Sequence, residues 1–509
     1  MPPEQPPGAA VPEGVAEPGH DGWPGRGGAV HEAIVPTGED LAFAGVARLS
    51  GLLRAGEVTP RELVELYLAR IERLDPGLGA FVSVRPRAAL AEADAALERL
   101  RAGEPGPLLG VPVAVKDNVD IAGEVTGHGT AANETPATRD AEVVRRLRAC
   151  GAPILGKTAM PELAMWAHTE SRTHPPTRNP WNPGRSAGGS SGGTAVAVAA
   201  GLAPAGLGSD GGASIRVPSA LCGVFGLKPT RGRISTLPDR EHWHGLSVYG
   251  AIARSVLDAA LFDDAVRGPA PGDAHTPAEP GISFADAARQ EPGRLRIAVS
   301  LKGTLPGIRP GPAARRAVTE TAELLRSLGH DLTERDPDYG QLFPDFMPLY
   351  LAGVADDAAK LEHRERLEPR SRQMAALGRR VHGRALRRGL RRQPIVAARI
   401  GAIFSRHDVL LTPVTAAQPA PVGRWAGKGP ARTFYGDGPY ATYTTVWNYL
   451  GYPAAAVPAG FDEDGMPTAV QLVAPAGGET TLLSLAAQIE KARPWAHARP
   501  PLPQPAAAR

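Results

Sequence analysis

Cysteine is almost missing from this chain, with only Cys150 and Cys222 among 509 residues. Two cysteines cannot build a disulfide framework or a four-cysteine zinc site, so a reduced, intracellular protein of the cytoplasm is expected. The opening segment MPPEQPPGAAVPEG has neither the basic flank nor the apolar run of a secretory signal. Long hydrophobic runs are missing too. The nearest, from Gly192 to Gly208, is alanine and glycine broken by Pro204, which argues against a membrane partner. Nor is one sign of charge in excess: 56 basic residues against 53 acidic ones leave a formal +3. That is too close to zero for a general nucleic-acid binder. Lysine is the scarce basic residue, found only at positions 116, 157, 228, 302, 360, 428 and 491. Arginine cannot lose its proton inside a protein whereas lysine can, so each of these positions is worth weighing as a proton acceptor.

What is present is an ordinary globular balance, 42% hydrophobic and 21% charged. The length suits one large domain or up to about three ordinary ones. Residues 1–36, rich in proline, glycine and alanine without periodicity, read as a disordered tail. Residues 37–498 read as one domain, with no clean linker and no internal repeat, and 499–509 as a flexible C-terminal tail. Thr59-Pro60-Arg61-Glu62 is a capping box with proline at the first helical position. Leu63, Leu66, Tyr67, Ile71 and Leu74 follow at helical spacing, and Asp75-Pro76 is expected to end that helix. A further helix is expected over Arg87–Leu100. Buried strands are expected over 111–115, 153–155, 295–299, 409–411, 454–457 and 469–473. Helical patterns such as 141–150 and 312–328 separate them, which argues for a layered α/β fold with a largely parallel sheet. Residues 268–294 read as a long surface connection. The basic run Arg379–Arg392 reads as a solvated helix face, because no aromatic residues interleave for stacking on bases.

The densest chemical signal is GGSSGGTAVAVAAGLAPAGLGSDGGASIRVP, from Gly188 to Pro218. Thr194–Ala200 reads as a buried helix of small residues that lets backbone approach closely. The flanking glycines offer bare amide groups suited to negative charge, including a transition-state oxyanion. Three chemistries compete. Gly188-x-Ser190-x-Gly192 fits a nucleophile elbow, but none of His330, His363 and His407 sits in the context of a catalytic base. Gly151–Thr158 completes a Walker pattern, yet its intervening Ala-Pro-Ile-Leu reads as a strand and not as an arch around phosphate. The third uses two serines and a neutral lysine: Ser214 after Gly211-Gly212-Ala213, a second serine, and Lys116 at the end of an apolar strand, where burial lowers its pKa.

The stretch Gly188–Ser219 resembles the signature of the amidase signature family of serine hydrolases. GVPVAVKDN at 110–118, GAPILGKTAMPELA at 151–164 and GVFGLKPTRGRIS at 223–235 are similar to further family blocks. So are WNYLGYPAAAVPAGF and GMPTAVQLVAP near the C-terminus, so the resemblance spans about residues 40–498. It implies a single α/β/α domain with a mixed, twisted central sheet covered by helices. It also implies a Ser–cis-Ser–Lys triad that cleaves a carboxylic amide, and by extension esters or carbamates, through a seryl acyl-enzyme. Ser214 would be the nucleophile, Ser190 the relay after a cis Gly189–Ser190 bond, and Lys116 the base. Amides of Gly211, Gly212, Ala213 and Ser214 would form the oxyanion hole. Ser191 is the alternative relay, but the spacing of 24 residues to the nucleophile favours Ser190. Lys228 and Cys222 read as structural, and Asp210 and Arg216 as residues that orient the nucleophile turn. Ala213 stands where many family members have glycine, which leaves the shape of the oxyanion turn open. His128, Trp166, Trp181 and residues 342–372 are candidate pocket linings for an aryl-tolerant substrate.

No metal or organic cofactor is implied. The expected partner is a small-molecule amide, with no nucleic acid and a monomeric or homodimeric state. The alternative function is the glutaminase subunit of a tRNA-dependent amidotransferase, which uses the same fold. Thr126-Gly127-His128-Gly129-Thr130 departs from the threonine–cysteine–serine pattern associated with that glutaminase.

Overall fold

Alternate residues along the buried strands face two different cores. Ile297, Val409, Leu411, Val457 and Leu472 pack into one, and Ala298, Leu410, Ala454 and Val473 into another. A strand points successive side chains to opposite faces, so a sheet apolar on both must be covered on both. The computed structural model describes residues 38–502. The expected tail at 1–36 lies outside the described residues, as does most of the one at 499–509. Within the latter, Arg499 is described: its guanidinium lies 4.8 Å from the centre of the Phe43 ring and pairs with Asp40 at 3.1 Å.

The strands, in chain order, are β1 (Phe81–Val84), β2 (Val113–Lys116), β3 (Ile154–Thr158), β4 (Arg178–Asn179), β5 (Asn182–Ser186), β6 (Ala205–Asp210) and β7 (Phe225–Lys228). They continue with β8 (Val248–Ala253), β9 (Arg296–Val299), β10 (Asp331–Glu334), β11 (Val409–Pro413), β12 (Ala454–Phe461) and β13 (Pro467–Val473). β4 and β5 make a small hairpin. Among the described residues the other eleven form one mixed sheet, in the order β1-β3-β2-β6-β8-β7-β12-β13-β11-β9-β10. The parallel pairing read from the sequence holds for β3–β2–β6 and for β11–β9–β10. Between these triplets, and at β1, the pairing is antiparallel.

The capping box forms as expected: Thr59 Oγ1 accepts from the Glu62 amide at 3.2 Å, and the Glu62 carboxylate accepts from the Thr59 amide at 2.7 Å. Its helix runs past the expected stop, from Pro60 to Leu78 with Pro76 inside. A proline so close to the C-terminus removes one donor from the ladder, and Gly79, at φ 64°, ends the helix instead. The Asp75 carboxylate then takes the amides of Ala80 (2.6 Å) and Phe81 (3.1 Å), turning the chain into β1. The Walker-like segment is indeed a strand, because Ile154–Thr158 is β3. Lys157 is buried there, donating to Val125 O at 2.9 Å and Thr126 Oγ1 at 3.0 Å, with Asp117 at 3.4 Å. The basic run is not one helix: Gly383, at φ 135°, separates helix Pro369–Val381 from helix Arg384–Gly401. Arg379, Arg380, Arg384, Arg387, Arg388 and Arg391 of that run are exposed, as a solvated face requires. The 268–294 connection carries a short helix, Phe284–Arg289.

The helix of small residues spans Gly192–Ala199 and every residue in it is buried. It packs on β2, β3 and β6, and Thr194 Oγ1 hydrogen-bonds Thr158 Oγ1 at 2.6 Å. A Cβ on Gly193 would lie 2.3 Å from Ala159 N and 2.4 Å from Ala80 O, both backbone atoms that cannot swing aside. Gly193→Ala is therefore expected to lower the unfolding free energy by about 1–3 kcal/mol, measured from the denaturant midpoint at unchanged slope.

Candidate active site

β2 lies between β3 and β6 and ends on Lys116, which is fully buried. Its Nζ donates to Ser190 Oγ at 2.7 Å and to Ser209 Oγ at 2.8 Å, with Ser209 O at 3.4 Å. Burial pushes the amine down to about 7, and Asp210 only partly opposes that effect. At neutral pH a large fraction of it is an uncharged base. Ser190 is held on a backbone that only glycine permits. Gly188 has φ 79°, Gly189–Ser190 is a cis peptide bond, and a Cβ on Gly189 would lie 2.8 Å from the backbone of His168. Ser191, the alternative relay, faces elsewhere: its Oγ donates to Ser209 O at 3.1 Å and accepts from Ser209 N at 3.2 Å.

Ser214 lies on the turn between β6 and helix Arg216–Cys222, and its carbonyl accepts from the Ser191 amide at 3.0 Å. A fully buried ion pair shapes that turn. Arg216 Nη2 lies 2.9 Å from Asp210 Oδ1 and its Nε 3.0 Å from Oδ2, while Oδ2 also accepts the Ile215 amide at 3.1 Å. The rest of the guanidinium reaches Thr444 O (2.9 Å), Gln471 Oε1 (2.8 Å) and Asn448 Oδ1 (2.6 Å). Burial alone would favour the neutral acid, but the charge and hydrogen bonds of Arg216, helped by Lys228 and Asn448, hold Asp210 well below the usual carboxylate range. Lys228 is buried as well and pushed down to about 7, by burial and then by Arg216. It donates to Pro229 O at 2.9 Å, a backbone partner that cannot relay a proton. Cys222 sits in the first core with its thiol pushed well up by burial. The left-handed non-glycine residues among those described are His128, Leu163, Ala164, Trp243 and His244. Ala213 is not one of them, so its methyl group meets no backbone strain.

An apolar cavity of about 660 Å³, counting its open mouth, lies against Gly212 and Ala213. Phe343, Phe346 and Tyr350 of helix Phe343–Lys360, with Phe434 and Trp166, make its aromatic wall. Of the candidate linings, Trp166 borders this cavity, and from the 342–372 stretch Phe343, Phe346, Met347 and Tyr350 do, while the remainder of that stretch does not. His128 and Trp181 do not line this cavity. Trp181 packs against Phe461 with ring centres 4.7 Å apart and planes tilted by 60°, and it donates its indole N–H to Cys222 O at 2.9 Å, fixing the β4–β5 hairpin. His128 stands on a turn drawn onto Asp117, whose carboxylate accepts the amides of Gly127 (3.2 Å) and Gly129 (3.1 Å). Ser209 was not singled out in the sequence, although it lies within the Gly188–Pro218 block. Nothing in spacing links it to a lysine 93 residues away. Asn118, which donates to Ser209 Oγ at 3.2 Å, is missed for the same reason.

The family model for amidases matches residues 62–483. A Mycobacterium bovis protein named "Putative amidase AmiB2" is 50% identical over 463 residues, covering 91% of this chain and 98% of that one. A glutamyl-tRNA(Gln) amidotransferase chain of Thermus thermophilus is 38% identical, covering 88% of this chain and 97% of its own length. Among solved structures, 6-aminohexanoate cyclic dimer hydrolase superposes with a TM-score of 0.85 at 31% identity, covering 90% of this chain and 99% of that one. The chain belongs to the amidase family. It is a hydrolase of carbon–nitrogen amide bonds, and among the described residues no helix is long and apolar enough to cross a membrane.

Removing one partner of a buried ion pair leaves the other uncompensated, at a cost of about 3–5 kcal/mol. Arg216→Met is expected to lower the unfolding free energy by about that amount, measured by denaturant titration, and to take activity down with it.

Proposed function

We propose that Ser214, Ser190 and Lys116 carry out amide hydrolysis as nucleophile, relay and base. The observation that supports this reading most directly is the 2.7 Å contact between a buried lysine amine and Ser190 Oγ. A serine hydroxyl is a poor nucleophile until a base removes its proton. Here Ser214 Oγ attacks the amide carbonyl carbon, its proton passes to Ser190 Oγ, and the proton of Ser190 passes to Lys116 Nζ. The carbonyl oxygen becomes an oxyanion, received by backbone N–H groups of Gly211, Gly212 and Ala213. Collapse breaks the carbon–nitrogen bond. Lys116 returns its proton through Ser190 to the departing nitrogen, leaving the acyl group on Ser214 Oγ. Water then attacks along the same relay, and the acid leaves.

The substrate is a small amide with an aryl or other apolar group, because Phe343, Phe346, Tyr350, Phe434 and Trp166 form the cavity wall beside Ala213. A glutaminase of the amidotransferase type would need a polar cavity for the glutamine side chain and a partner to receive ammonia. The aromatic wall favours an enzyme that works alone.

Anilides and alkyl amides assayed with the purified chain test this. Ser214→Ala should abolish turnover, and Lys116→Ala and Ser190→Ala should each lower kcat by about 10²–10⁴-fold. Lys116→Arg should be as inactive as Lys116→Ala, since a guanidinium keeps its proton. Full activity in either serine variant overturns the mechanism, and activity confined to glutamine overturns the substrate reading. The active form of Lys116 is the neutral amine, so kcat/KM should rise with pH through about 7 and then level. Below that it should fall by about tenfold per pH unit.

A further inference from the structure

Outside the residues that line the cavity, three side chains from three separate elements meet. His244 comes from the turn before β8, Asp356 from helix Phe343–Lys360, and His382 from the break after helix Pro369–Val381. His244 Nε2 lies 3.1 Å from Asp356 Oδ2 and His382 Nε2 lies 2.9 Å from Asp356 Oδ1. One atom from each residue falls within 4.8 Å of the other two. From this arrangement we infer that His244, Asp356 and His382 form a binding site for a divalent transition-metal ion of the zinc type, distinct from the amidase chemistry.

Three observations carry the inference. The first is donor chemistry: two imidazole nitrogens and one carboxylate suit Zn²⁺, Co²⁺ or Ni²⁺ and not Mg²⁺ or Ca²⁺, which demand oxygen. Ligands held at about 2.0–2.1 Å around such an ion stand roughly 3 Å apart, close to each imidazole–carboxylate distance here, and the set of three lies within 4.8 Å. The second is direction. His244 Nε2 is buried and, despite its 3.1 Å approach to the carboxylate, makes no hydrogen bond of proper alignment. The His244 and His382 rings stand edge to face, at 73° and 5.7 Å between centres, and each addresses a different oxygen of one carboxylate. Among the described residues, Asp356 is ion-paired with these two imidazoles and with no lysine or arginine.

The third observation is that the turn carrying His244 is fixed before any ion arrives. Trp243 and His244 are both left-handed, at φ 52° and 53°. Asp357, next to Asp356, holds the two residues before His244, accepting from Trp243 Nε1 at 2.7 Å and meeting His242 Nε2 at 3.0 Å. Such outer partners orient first ligands in metal sites. Water would complete the coordination, because Asp356 and His382 are each 44% exposed in their side chains. The ion would tie the Trp243 turn to two helices. Trp243 in turn lies where a Cβ on Gly211 would be 2.8 Å away, so the tie reaches the back of the oxyanion turn.

The test is isothermal titration of the full chain, prepared without a histidine tag and stripped with chelator, using Zn²⁺ alone. The visible spectrum with Co²⁺ serves as a second readout. One Zn²⁺ per chain, a thermal midpoint raised by Zn²⁺, and a Co²⁺ band are expected. Affinity should fall by at least about tenfold in His382→Ala and in the near-isosteric Asp356→Asn. Both variants should keep the wild-type midpoint in chelator, which separates lost ligation from lost fold. No binding by the wild type overturns the inference. So does Zn²⁺ binding that persists unchanged in His382→Ala and Asp356→Asn.

Discussion

An amine sealed from water at the end of a central strand is the constraint on which the rest of this site depends. Desolvation makes the charged form of Lys116 expensive, and a nearby carboxylate would restore it. Asp210 is such a carboxylate, on the strand next door. Its charge is already committed to Arg216, which is itself caged by Thr444, Asn448 and Gln471. The ion pair thus has two effects: it draws the amides of Ile215 and Arg216 onto Asp210, which folds the turn that carries Ser214, and it leaves the burial of Lys116 only partly opposed. Lys228 experiences nearly the same burial and is pushed equally low, but it faces a carbonyl. What separates the two lysines is the group opposite each amine, hydroxyls at Lys116 and a carbonyl at Lys228, not the depressed pKa.

Close backbone approach is the second constraint. Ser190 can sit above Lys116 only if the Gly192–Ala199 helix lies almost on the sheet, and Gly189, Gly193 and Gly206 leave the room for it. A Cβ on Gly206 would come within 2.5 Å of Thr194 Cγ2. Polar pins replace the missing side-chain packing, as between Thr158 and Thr194. The concentration of glycine and alanine between Gly188 and Ser214 is therefore a packing requirement as much as a chemical one.

Much of this was legible in the sequence. The capping box at Thr59, the helices near 142–149 and 312–327 and the apolar strands rest on local rules, and they came out within a few residues of their observed bounds. β6 did not: Ala-Gly-Leu-Gly-Ser-Asp has no β-branched residue and no alternation, because its glycines serve the helix packed above them. Pro76 misled because a proline near a helix end costs only one bond. The contact between Lys116 and Ser190 follows the family resemblance, whereas Ser209 and Asn118 depend on how β2 and β6 are registered, which local pattern does not encode. Trp181 shows the reverse error, since an aromatic residue near a signature looks like a substrate wall even when its indole fastens its hairpin to the carbonyl of Cys222.

The cavity wall and the proposed triad come from different parts of the molecule. Lys116, Ser190 and Ser214 stand on strand β2 and two glycine-rich turns, while Phe343, Phe346 and Tyr350 project from the single helix Phe343–Lys360. That helix is buried along most of its length, yet the side chains it turns to the cavity can be rewritten one at a time without disturbing the register of a sheet. This chain is thus a scaffold with an exchangeable wall: swapping aromatic for smaller or polar side chains along that helix would re-aim a fixed hydrolytic apparatus at new acyl groups.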